Sequence, residues 1–96
     1  MLRNFYFNNI TYQKDHRRNL LMVRGQISNG SGRNYDAVVF RMVVFVKNNP
    51  VSSKSFAING FRAGQERAFE QTIEEAPYDE VMDQLLSCEI YAESGY

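Results

Sequence analysis

The single histidine, His16, and the single cysteine, Cys88, are the pair from which a thiolate–imidazole dyad could be assembled. They lie towards opposite ends of the chain, and no further group is spaced to support such a dyad. The sequence favours Cys88 as a small buried hydrophobe. A structural zinc site needs several Cys and His at short spacing, and that pattern is missing. The acidic run Glu74-Glu75-Ala76-Pro77-Tyr78-Asp79-Glu80, with Asp83, offers oxygen ligands for calcium. It lacks the alternating oxygens and the glycine of a calcium loop. It reads better as a helix start, where the dipole favours Asp79 and Glu80. No metal or cofactor is expected, and the chain is not expected to be an enzyme.

Binding chemistry has a better foothold. Lys14, Arg17, Arg18 and Arg24, with His16 among them and Tyr12 nearby as a stacking partner, could hold an anionic polymer or surface. Against that, the chain is neutral overall, and a basic loop is usually just solvated. Nucleic acid is not the expected partner. Gly30-Ser31-Gly32 lacks the lysine and the strand-to-helix context of a phosphate-binding loop and reads as a hairpin turn. Asn9-Ile10-Thr11 and Asn29-Gly30-Ser31 match the glycosylation sequon by chance.

The elements that must carry these residues are strands. Phe5, Phe7, Ile10 and Tyr12 mark an opening strand, and the polar stretch Tyr12 to Arg18 reads as a loop. Leu21, Val23, Gly25 and Ile27 alternate with Met22, Arg24, Gln26 and Ser28. Asn29-Gly30-Ser31-Gly32 turns the chain, Asn29 and Gly30 supplying positive φ. Tyr35 to Val46 is the longest strand, ended by Lys47-Asn48-Asn49-Pro50. Val51 to Ala57 reads as an edge strand. A second turn follows at Arg62 to Glu66, and Arg67 to Ile73 resumes the alternation. After Pro77 the period changes, and Asp79 can cap a short helix near residues 79–87 through Val81, Met82, Leu85 and Leu86. Cys88, Ile90 and Tyr91 suggest a last strand. About seven strands at this spacing indicate an all-β, immunoglobulin-like antiparallel sandwich. Its inner set should be Val23, Ile27, Val38, Phe40, Met42, Val44 and Phe69.

Two features do not fit a solitary sandwich so simply. On the long strand Val38, Phe40, Met42 and Val44 form one apolar face, yet Val39, Val43 and Phe45, interrupted only by Arg41, form another. A strand with one solvated face should alternate apolar and polar residues. The helix or a loop could cover the second face, which is slightly favoured, or Val39, Arg41, Val43 and Phe45 could form an interface. Charge is also segregated. Residues 1–67 hold all eleven Lys and Arg against three acids, a net of +8, and residues 68–96 hold eight acids and no base. Either late acidic strands neutralise early basic ones within the domain, which is favoured, or opposed faces drive head-to-tail self-association.

The whole chain, 1–96, is one domain's worth of sequence, with seven Phe and six Tyr to fill a core. No apolar run exceeds the five residues Met42 to Val46, so this chain is not expected to insert in a membrane. Its start lacks the long apolar stretch of a signal peptide. A small cytoplasmic protein and a piece of a longer secreted or anchored one both remain open.

The segment Val23 to Glu70 resembles the FxLyD domain, a small immunoglobulin-like module of bacteria and archaea. Val23-Arg24-Gly25-Gln26-Ile27-Ser28-Asn29 is similar to that family's V-x-G-x-V-x-N strand, and Tyr35 precedes the alternating strand Val38-Phe40-Met42-Val44-Phe45. Phe61-Arg62-Ala63-Gly64-Gln65-Glu66 with Phe69-Glu70 resembles its L-x-P-G-E-x-x-x-F-E signature. Ala63 stands in place of the proline, Gln65 separates Gly64 from Glu66, and Val46 replaces a common acidic residue. The resemblance implies an extracytoplasmic setting, with a tether outside this sequence. The function expected is a non-catalytic module for protein–protein contact or domain spacing. The alternative is an anionic ligand bound through Lys14 to Arg24.

Overall fold

The computed structural model describes residues 2–96. Six strands and one helical turn follow each other along the chain. They are β1 (Phe5–Lys14), β2 (Leu20–Asn29), β3 (Tyr35–Val46), β4 (Asn49–Phe61), β5 (Glu66–Pro77), α1 (Tyr78–Val81) and β6 (Leu86–Gly95). All pairings are antiparallel, and they build two three-stranded sheets, β1-β2-β5 and β4-β3-β6. The non-consecutive neighbours β2–β5 and β3–β6 correspond to the B–E and C–F pairs of an immunoglobulin sandwich. The fold is thus the expected all-β sandwich.

One core cluster joins the inner faces of both sheets, and all seven residues expected inside are buried. Period-two alternation explains why. Val38, Phe40, Met42 and Val44 point inward from β3, and Leu21, Val23 and Ile27 answer from β2. Phe40 is the centre, with ring centroids 5.6 Å from both Phe5 and Phe56 and 6.0 Å from Phe7. Phe56 in turn stacks on Phe69 at 5.4 Å. Gly25 faces inward between these groups. A Cβ there would sit 2.5 Å from Ile10 Cδ1 and 2.8 Å from the Phe69 ring, so its missing side chain lets the aromatic lie close.

Several local expectations are corrected. Six strands stand where about seven are expected, and the edge strand expected at residues 51–57 is the middle of a longer β4 that runs from Asn49 to Phe61. β1 runs on through Lys14, so the loop is confined to residues 15–19. A bulge between Asn8 and Thr11, with Asn9 at φ 54°, accommodates that length. In the β2–β3 connection the positive φ belongs to Gly32 (78°) and to neither Asn29 nor Gly30. Asn29 is buried instead. Its Nδ2 donates to the Arg33 and Phe61 carbonyls, and its Oδ1 accepts from the Ser31 N–H and hydroxyl. The helix expected near 79–87 is the single turn Tyr78–Val81, and Leu86 already starts β6. Asp79 does not cap it. Asn19, from the β1–β2 loop, accepts from the Tyr78 and Asp79 N–H groups with its carbonyl and its Oδ1.

Candidate interaction surface

The outer face of sheet β4-β3-β6 is built on the second row of β3. Val39, Arg41, Val43 and Phe45 all point outward and are half-buried. Small and polar residues flank them. Ala57, Ser55 and Ser53 stand opposite Val39, Arg41 and Val43 on β4, and Ser94, Tyr91 and Glu89 stand opposite the same three on β6. The half-burial therefore comes from neighbours within the sheet. Arg41 is tied down in the middle of the row: Nε donates to Glu93 Oε2 at 3.0 Å and Nη1 to Ser53 Oγ at 3.2 Å. That pairing leaves Val39 on one side of it and Val43 and Phe45 on the other as an apolar strip on an otherwise polar face.

Among the described residues no helix or strand is found packed over this strip. The turn α1 packs against β2 and β5 of the other sheet, held there by Asn19 and by the buried Val81. The favoured internal cover, the helix from Val81 to Leu86, is therefore elsewhere. Four residues of helix at the end of β5 are too short to reach across to β3.

The opposite sheet treats its outward methionine differently. Met22 is 1% exposed yet belongs to the outer face, not to the core cluster. The β1–β2 loop covers it. Asp15 reaches over β2 to accept a hydrogen bond from Thr72 Oγ1 on β5 (2.8 Å), and Met22 is the residue paired with Thr72. The Arg17 N–H and the Thr72 hydroxyl hold the Asp15 carboxyl below its ordinary range.

The basic residues of this region do not form one patch. Lys14 ends β1, Arg17 and Arg18 lie in the loop, and Arg24 projects from the middle of β2. Acids are interposed. Arg18 pairs with Glu74 at 3.8 Å and Arg24 with Glu70 at 3.5 Å, while Asp15 sits between Lys14 and Arg17. With Arg41–Glu93, each ion pair joins an early base to a late acid, two of them across neighbouring strands and Arg18–Glu74 from the β1–β2 loop to β5. The segregated charges meet inside the domain. In an open depression of about 360 Å³ beside Arg24, lined also by Asn9, Thr11, Gln26 and Glu70, Asn9 is bonded to Gln26 and Arg24 is paired with Glu70.

Cys88 and His16 are kept apart by the fold. His16 is exposed in the loop, whereas Cys88 faces inward from β6 beside Tyr12 of β1. Burial pushes both the Tyr12 phenol and the Cys88 thiol up, so each is held neutral. Among the described residues no three His, Cys, Asp or Glu side chains are grouped to hold a metal ion. No helix among them is long and apolar enough to cross a membrane. Tyr91, on this outer face, and the free backbone of β6 were not singled out by sequence, because neither can be placed until β6 is known to lie beside β3. No family model, curated protein or solved structure matches this chain.

Proposed function

We propose that this domain is a non-catalytic immunoglobulin-like module that makes protein–protein contacts, including contacts between its own copies, through the outer face of sheet β4-β3-β6. The observation that carries the reading is the strip Val39, Val43 and Phe45, over which no helix or strand is found among the described residues. Apolar strips on an otherwise polar sheet face mark contact surfaces. The strand and turn motifs from Val23 to Glu70 support kinship with FxLyD-like modules, and with it an extracytoplasmic setting and a tether outside this sequence. The anionic-ligand reading through Lys14, Arg17, Arg18 and Arg24 is weaker, because two of these four bases already face acids.

Light scattering after size exclusion tests the face. The wild-type mass should rise with concentration above 11.2 kDa, and Val43→Glu should hold it at the monomer with little change in melting. A variant that unfolds would place Val43 in an internal contact. Equal association of both proteins would remove this face from the interface.

A further inference from the structure

Alternation along an antiparallel pair decides which backbone groups of β6 are used. A strand residue directs its N–H and C=O to the same side, and successive residues alternate. Leu2 N–H donates to the Ala92 carbonyl from outside the sheet, so Ala92 faces away from β3. The residues two and four positions earlier, Ile90 and Cys88, then also face away, while Tyr91, Glu89 and Ser87 bond to β3. The tight β3–β4 hairpin gives the same phase independently. Val46 pairs with Asn49 across the two-residue turn, so even-numbered residues of β3 bond to β4 and odd-numbered ones to β6. Among the described residues β3 is the one strand paired with β6, which leaves the Ile90 and Cys88 backbone groups on the side of β6 that carries no strand.

The other sheet edges are defended. On the β4–β5 side Lys54 Nζ donates to the Thr72 carbonyl (2.8 Å), Arg67 Nη1 to the Asn59 carbonyl (3.0 Å), and Ser52 to Glu75 (2.7 Å). β4 also carries Pro50, and β1 is broken by the bulge at Asn8–Thr11. Residues 86–91 of β6 have no proline, glycine, lysine or bulge. This is the position that strand G fills beside strand F in an immunoglobulin sandwich.

We propose that the free edge of β6 at Cys88 and Ile90 binds an extended peptide strand, apolar on its inward side chains and basic on its outward ones. The proposal rests on the reading of the domain as a protein-contact module. A strand is the ligand whose spaced N–H and C=O groups match those left open. Inward specificity comes from the apolar seam where β1 meets β6, at which Ile10, Tyr12, Cys88 and Ile90 are half-buried against the core. Charge selects the outward residues. Glu89 is exposed beside the edge and takes part in none of the ion pairs, whereas Glu93 is held by Arg41, and β6 has no base. The same acidity disfavours β6 of a second copy as the added strand.

Amide exchange by NMR reads the edge directly. A short synthetic peptide alternating valine with lysine should slow exchange at the Cys88 and Ile90 amides by about tenfold at saturation. The same peptide N-methylated along its bonding edge should have no effect, and a valine–glutamate peptide should bind far more weakly. Glu89→Lys should reverse that preference. No slowing at these two amides, or equal protection by the N-methylated peptide, overturns the proposal, as does protection confined to β4 and β5. Val43→Glu, which adds an acid opposite Glu89, should leave peptide protection intact or strengthen it. Peptide protection alongside unchanged self-association of Val43→Glu would keep the edge and reject the face, and the reverse pattern would do the opposite.

Discussion

Asn29 shows how one polar side chain can fix a corner of a small sandwich. It is 1% exposed and uses both ends of its amide, tying the β2–β3 connection to the last carbonyl of β4. Asn29→Ala leaves two carbonyls and the Ser31 N–H without their side-chain partner. The expected loss is about 2–3 kcal/mol, since each buried polar group left unsatisfied costs about 1–3 kcal/mol. Urea unfolding measures it, and an unchanged midpoint would mean that water replaces the amide. From sequence, Asn29 reads only as a turn residue. Its long-range partner at Phe61 depends on how β2 and β4 are brought together, which no local pattern encodes.

At the scale of elements, the β3–β4 hairpin carries a measurable local conflict. Lys47 and Asn48 occupy φ of 51° and 66°, the left-handed pair of a type I′ turn. Asn tolerates that conformation and Lys does so poorly. Replacing Lys47-Asn48 with Asn-Gly should therefore stabilise the domain by about 0.5–2 kcal/mol, read from thermal or urea melts. The long strands were legible because alternation of Val, Ile and Phe survives burial on one face, as in β2 and β3. The helix is shorter than its apolar spacing suggests for a physical reason. Val81, Met82, Leu85 and Leu86 have helical spacing, yet Met82 and Leu85 are 59% and 64% exposed, and only Val81 is buried. The apolar strip of the candidate face could be read from β3 alone. The β6 edge could not, since strand neighbours separated by forty or more residues are set by sheet topology.

For the whole molecule, the side of the sandwich where β1 faces β6 holds two neutral acids, Tyr12 and Cys88. Their folded values lie above the ordinary 10.0 and 9.0, chiefly through burial. The unfolded chain therefore loses these protons first as pH rises, and the native state binds more protons in that window. Stability is full below about pH 9 and falls as pH climbs through 10.0 and beyond. Urea midpoints on either side of pH 10.0 should show the fall, and Tyr12→Phe should reduce it. The sheet order also gives the separated charges a meaning in time. Each sheet consists of a hairpin made early, β1–β2 or β3–β4, and a strand delivered later, β5 or β6. Hairpins close from local contacts and form quickly, whereas the third strand must return over a long loop. The hairpins lie in the basic part of the chain, and from residue 68 onward the returning strands carry only acids. As synthesis proceeds, a positively charged pair of half-built sheets thus awaits the two negative strands that complete them, and attraction between them favours docking over escape into aggregation.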